Sequence, residues 1–143
     1  MIVTAVASFA RMTGTIFSDL GQASRFMALD WVQELFHQCL GYHPYPATLN
    51  LRPVTPDDSQ VWQRVQCELD GIALATAAGG HCAAKLYRVE IEASANSARV
   101  TGAVVLPEVK DYPSDKIEVV APLRLKAHLG VMDGDRLIVE FLR

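Results

Sequence analysis

Thr48, Leu49 and Asn50 follow directly on a stretch punctuated by glycine and proline, Gly41-Tyr42-His43-Pro44-Tyr45-Pro46. In an extended chain, side chains alternate. The Thr48 hydroxyl and the Asn50 amide carbonyl therefore project to one face while Leu49 goes to the other. Two neutral oxygens that converge in this way suit Mg2+, which takes oxygen ligands, keeps several waters and draws much of its charge compensation from substrate phosphates. They would not hold a free ion tightly. The same pair also suits a plain strand start at which Thr and Asn satisfy nearby backbone groups, and spacing alone leaves both readings open.

Other reactive side chains are less well placed. Asp57 and Asp58 lie between Pro53 and Gln60 with no third ligand nearby and read as part of a solvated surface loop. His81 and Cys82 are adjacent, so an extended chain points them to opposite faces, which weakens a nucleophile pair. His37 reads as a solvated residue near a helix C-terminus. Taken alone, Arg25 is an ordinary surface residue and Glu118 an exposed strand residue. A carboxylate at Glu118 would nevertheless orient a primary hydroxyl, or accept its proton, if one came within hydrogen-bond reach.

These residues must be positioned by short elements. Leu29 to Leu40 carries Trp31, Val32, Leu35, Phe36, Cys39 and Leu40 at helical spacing, with Asp30 as N-cap and Gln33 completing a capping box. This makes Trp31 and Phe36 packing residues. Gly41 ends the helix in the left-handed conformation, and Pro44 and Pro46 stiffen the turn that follows. Met12 to Phe17 favours a strand, 18–24 a polar loop, and 52–60 a polar crossing of the surface. Asp70-Gly71 suits a hairpin turn, 73–78 is ambiguous, and Gly79-Gly80 suits a tight turn into a strand ending at Ile91. After a small polar turn at 93–97, the expected elements are a strand at 98–107, a loop at 108–116, a strand at 117–120, a short helix from near Pro122 to Leu129, a turn at Asp133-Gly134 and a last strand at 136–142. Many short strands, one main helix packed outside and little βαβ alternation predict an all-β fold with minor α content, a small closed barrel.

The 143 residues suit one domain with a single core. Half the residues are hydrophobic and 20% charged, as in a globular protein, and the net charge of -3 gives no general attraction for nucleic acid or an anionic membrane. Neither is expected as a partner, and any phosphate binding must be local. Cys39, Cys67 and Cys82 show no metal-type spacing and cannot all pair, which points to a reducing cytoplasm. Residues 1–10 are apolar, too short to span a bilayer and without a basic leader, so they read as an N-terminal extension to a domain at 11–143.

The run Leu40-Gly41-Tyr42-His43-Pro44-Tyr45-Pro46-Ala47-Thr48-Leu49-Asn50-Leu51 resembles the Leu-Gly-Phe-x-Pro-Tyr-x-Gly-Thr-Leu-Asn signature of the archaeal-type, CTP-dependent riboflavin kinases. A second block, Tyr112 to Lys126 with Met132-Asp133-Gly134-Asp135, is similar to the same family and follows in the same order. The resemblance implies a six-stranded cradle-loop barrel and Mg2+-dependent transfer of a phosphoryl group from a nucleoside triphosphate, CTP, to the 5′-hydroxyl of riboflavin, giving FMN. It places Mg2+ on Thr48 and Asn50. It assigns the nucleotide to Leu20, Gly21, Gln22, Ala23, Ser24, Arg25 and Phe26 together with Leu123, Arg124, Leu125 and Lys126, and the flavin to Lys110 and Glu118, with Glu118 at the ribityl end as the catalytic carboxylate. Three positions depart from the family pattern: Ala23 stands where a Gly-x-Gly loop has its second glycine, Lys110 where the family has threonine, and Lys126 where it usually has arginine. An alanine in a left-handed conformation costs about 1 kcal/mol, and lysine lacks the arginine fork. A non-catalytic nucleotide- or flavin-binding module and a kinase for another small alcohol are the alternatives.

Overall fold

The computed structural model describes residues 7–19, 23–75, 82–93 and 98–143, with 82 and 83 as backbone. Seven strands and four helices follow in the order β1 (Ser8–Phe17), α1 (Ala23–Met27), α2 (Asp30–Leu40), β2 (Leu49–Pro53), α3 (Pro56–Glu68), β3 (Ile72–Ala75), β4 (Cys82–Glu92), β5 (Val100–Pro107), β6 (Ile117–Val120), α4 (Leu125–Leu129) and β7 (Arg136–Leu142). The sheet runs β3-β4-β5-β6-β2-β1-β7, and β4 also pairs with β7. Six antiparallel strands thus close into a barrel, the closure expected from the strand-rich sequence and the number from the family resemblance, and β3 lies outside the ring. β1 begins at Ser8, inside the segment read as an extension, and pairs with β7 from Ser8↔Leu142 to Thr15↔Arg136.

Period-two alternation fills the barrel. Met12 and Ile16 from β1, Leu49 and Leu51 from β2, Ile117 and Val119 from β6, and Leu137, Val139 and Phe141 from β7 share one buried cluster. Glycine is required where strands crowd, for a Cβ on Gly102 would lie 2.5 Å from the Val120 carbonyl oxygen. At the seam, Glu92 and Glu140 are bracketed by Arg11 and Arg99. A second cluster lies on the outer wall, where Val32, Phe36 and Leu40 of α2 cover Leu86, Ala103, Val105 and Val120.

The helices differ from the sequence reading in instructive ways. Leu29, not Asp30, occupies the N-cap of α2, and it makes no side-chain cap. The Gln33 amide instead donates to the Met27 and Pro44 carbonyls, at 2.6 and 3.0 Å, and ties the helix to the turn beyond it. Trp31 is 51% exposed rather than core, because the buried stripe runs through Val32, Phe36 and Leu40, and its ring meets Phe26 edge-on. Gly41 does end the helix at φ 87°.

The segment read as a surface loop with solvated aspartates is the start of the longest helix. Thr55 and Asp58 form a reciprocal capping box and Pro56 occupies the first turn. Asp58 also accepts from the Thr13 amide at 2.9 Å, and α3 lays Trp62 and Val65 into the barrel core. Asp70-Gly71 links α3 to β3 rather than forming a hairpin. α4 begins at Leu125, three residues after Pro122. The Gly79-Gly80 turn, the ambiguous residues 76–78, the side chains of His81 and Cys82, and the turn residues 94–97 lie outside the described residues. Among the described residues no helix is long and apolar enough to cross a membrane.

Candidate active site

Because Leu49, Leu51, Ile117 and Val119 point into the barrel, Asn50 and Glu118 must point outward. They are direct partners across β2 and β6, and Thr48, two residues before Asn50, lies diagonally on the same face. The strand register therefore joins Thr48 and Asn50 to a carboxylate about seventy positions away in the chain. The Thr48 hydroxyl donates to Glu118 Oε1 at 3.2 Å, across seventy positions of chain. Asn50 and Glu118 are only 7% and 8% exposed, which is unusual for polar groups in a sheet.

The second Glu118 oxygen accepts a short hydrogen bond from the Tyr112 hydroxyl. Burial, then that bond, then the charges of Glu118 and Asp19, push the Tyr112 phenol well above its ordinary range, so it stays a donor. Glu118 is thus held at both oxygens with acceptor capacity to spare, since a carboxylate offers about four lone-pair sites. Asn50 Oδ1 is buried and accepts no hydrogen bond from the described residues. An unpaired buried acceptor costs about 1–3 kcal/mol, a cost that a cation would offset. Thr48, having spent its proton on Glu118, keeps its oxygen lone pairs. The donor set fits Mg2+: two neutral oxygens, one of them orphaned, beside an open cleft.

That cleft has two hollows that meet at Ala47, Thr48, Leu49 and Lys126. One, of about 150 Å3, is also lined by Leu123, Arg124 and Leu125. The other, of about 110 Å3, is also lined by Asn50, Ser18, Asp19, Ala23 and Ser24. Each is smaller than the roughly 300–1,000 Å3 of a ligand pocket, so they mark two ends of a cleft. Lys126 stands between them, with its ammonium 2.8 Å from Asp133 Oδ1 and 3.2 Å from Ser18 Oγ. The hydrogen bonds from Lys126 and then Ser18 hold the Asp133 carboxyl below its ordinary range. Lys116 reaches Asp19 at 2.6 Å, tying the loop after β1 to the one before β6.

Of the residues expected to bind nucleotide, Ala23, Ser24, Leu123, Arg124, Leu125 and Lys126 line this cleft. Arg25 and Phe26 do not; both are exposed on α1. Leu20, Gly21 and Gln22 lie outside the described residues. The expected left-handed strain at Ala23 is absent, because Ala23 opens α1, and among the described residues the non-glycine with positive φ is Asp111. Lys110 is exposed on the loop before β6 and lines a separate groove of about 540 Å3 with Trp62, Gln63, Gln66 and Tyr112. Tyr112 borders that groove and touches Glu118, so it joins groove and cleft. Sequence reasoning gave Tyr112 no role, because its contact with Glu118 depends on how the loop before β6 folds back.

A closed barrel with an oxygen-lined corner on its outer wall defines the class of molecule. Comparison with known proteins gives the family: the model described as CTP-dep_RFKase, a domain of unknown function (DUF120), matches residues 16–141, and the chain belongs to that family. It is 35% identical over 133 residues to the riboflavin kinase of Pyrobaculum islandicum, covering 91% of this chain and 59% of that protein. The riboflavin kinase of Pyrobaculum arsenaticum is 33% identical, with 92% and 60% covered, and that of Archaeoglobus fulgidus 30% identical, with 92% and 54% covered. The chain therefore spans a little over half the length of these relatives.

Proposed function

We propose that the protein transfers the terminal phosphoryl group of a nucleoside triphosphate, CTP by its family, to the 5′-hydroxyl of riboflavin, giving FMN. The observation that carries this reading is the triad at one point of the outer wall: Thr48 bonded to Glu118, with the buried Asn50 carbonyl beside them unpartnered among the described residues. Thr48 and Asn50 would hold Mg2+, which when bound neutralises charge on the phosphates. Glu118, fixed by Thr48 and Tyr112, orients the riboflavin hydroxyl and accepts its proton as the oxygen attacks the terminal phosphorus and the bond to the departing nucleoside diphosphate breaks. Arg124 and Lys126 lie where the triphosphate would enter, and the Lys110 groove on the far side of Tyr112 is the place for the flavin. The working unit is the barrel domain, in a reducing cytoplasm that suits the free thiols Cys39 and Cys67.

The test is incubation of the protein with riboflavin, Mg2+ and each of the four nucleoside triphosphates in turn, with FMN separated by chromatography. FMN formed with CTP and abolished by a chelator is the expected result. Tight flavin binding with no FMN in any arm would instead assign a non-catalytic binding role.

A further inference from the structure

We propose a second metal site, formed by Glu34, His37 and His43 and selective for a zinc-type divalent transition ion, on the outside of the turn that leads to Thr48. Glu34 and His37 are three residues apart on α2, so they share a face and sit one above the other. His43 comes from beyond the helix end and is folded back over it. Its ring stacks on that of His37 with centroids 4.3 Å apart and planes within 3°, and its Nε2 lies 3.2 Å from Glu34 Oε1. One ligand atom from each of the three residues falls within 4.8 Å of the others, the one such group among the described residues.

The backbone that presents His43 is fixed on both sides. The Gly41 amide donates to His37 O at 2.8 Å, the Gln33 amide to Pro44 O, and the Tyr45 amide to Ala121 O at 2.7 Å. The three side chains are exposed, and rotation about their own torsions, which takes the two rings out of their parallel stack so that their in-plane lone pairs converge, brings them onto one ion at bonds of about 2.0–2.2 Å. Two imidazoles and one carboxylate suit Zn2+, Co2+ or Ni2+, with water completing the shell, and do not suit Mg2+, which prefers oxygen. This donor set differs in kind from the all-oxygen corner at Thr48 and Asn50, so the two sites sort ions by chemistry. The proposal does not depend on the phosphoryl-transfer reading.

Metal-stripped protein is titrated with Zn2+ by calorimetry, and with Co2+ while visible absorption is followed. The expected result is one strong site per chain, with the absorption bands of imidazole-bound cobalt and a Zn2+-dependent rise in the thermal midpoint. His37→Ala and His43→Ala should each weaken binding by about tenfold or more through loss of one of three protein ligands and abolish the midpoint shift. Cys67→Ser, which removes an exposed competing thiol, and Thr48→Val should leave it unchanged, and millimolar Mg2+ should not compete. Equal Zn2+ affinity in the parent and both histidine variants, or loss of binding in Cys67→Ser, would overturn the site.

Discussion

The two sides of the cleft are built by different means. On the Glu118 side, Asn50 and Glu118 are fixed by the β2–β6 register and nearly excluded from water. On the Lys126 side, contacts are made by exposed ends of side chains, with Lys126 and Asp133 32% and 50% exposed, from loops and five-residue helices. Buried groups in a fixed register are preorganised, and an unmet acceptor such as Asn50 Oδ1 persists only because the sheet holds it there. Exposed ion pairs in water are weak and readily re-formed. The Thr48–Asn50–Glu118 corner is therefore the rigid half of the cleft and the Lys126 side the adjustable half, so substitutions on the two sides should differ in size and in kind.

The largest effect is expected at the corner. Thr48→Val and Asn50→Leu each remove one oxygen and should lower kcat by about a hundredfold or more, as expected for loss of a ligand that stabilises developing charge. Asn50→Leu should do so with an unchanged or raised thermal midpoint, because it removes a buried acceptor that has no partner among the described residues. Parallel measurement of FMN formation and melting checks both. A destabilised Asn50→Leu would show that the carbonyl is satisfied in the free protein and would remove the argument for a cation there.

Tyr112→Phe should come next. It frees one oxygen of Glu118 and should lower kcat by roughly tenfold, the worth of a hydrogen bond to a charged group. The phenol also leaves a signature in stability. Its proton is held more tightly in the fold than in the unfolded chain, whose phenol titrates at its ordinary value of 10.0. The contribution is therefore complete below about pH 10 and is lost as pH rises further, when the unfolded chain releases its proton first. Melting curves from pH 8 to 11 should fall more steeply for the parent than for Tyr112→Phe.

The same contrast decides what could be read from the chain alone. β6, β7 and the Gly41 helix end were legible because alternation and glycine are local signals, and the barrel followed from their number. α3 was not, since Pro56-Asp57-Asp58 carries turn residues that also begin helices, and the Thr55–Asp58 box decides between the two. Thr48 and Asn50 could be placed on one face by alternation, whereas their meeting with Glu118, a pairing seventy positions apart that no local pattern encodes, was legible only through the family resemblance and the closed barrel it implies. Tyr112 was missed because its partner is defined only by how the loop before β6 folds back. Trp31 shows the reverse failure: it fits the helical period, yet it stays half exposed, with its ring edge-on to Phe26.

On the adjustable side, Lys126→Met should raise the KM for nucleotide several-fold while leaving the KM for flavin and the melting midpoint almost unchanged, as for an exposed ion pair. Added salt should shrink the difference by screening the parent's charge. Nucleotide titrations at low and high ionic strength read this directly, and a salt-independent loss of kcat would move Lys126 into the rigid half of the site.

The smallest effect should come from Ala23→Gly, and its sign separates two accounts of the loop. If Ala23 were held in a left-handed conformation, glycine would relieve strain and tighten nucleotide binding. Ala23 instead begins α1, where alanine is the favoured residue and glycine costs up to about 1 kcal/mol, less at an end than in the interior. α1 has only five residues and is anchored at its far end by the buried Met27, so loosening its first turn should leave nucleotide affinity unchanged or slightly weaker, with flavin affinity unaffected. Calorimetric titration of the variant with CTP in the presence of Mg2+ checks this. Tighter binding would mean that the segment adopts the family's glycine-loop conformation when nucleotide arrives, and that the adjustable half rearranges more deeply than its side chains alone.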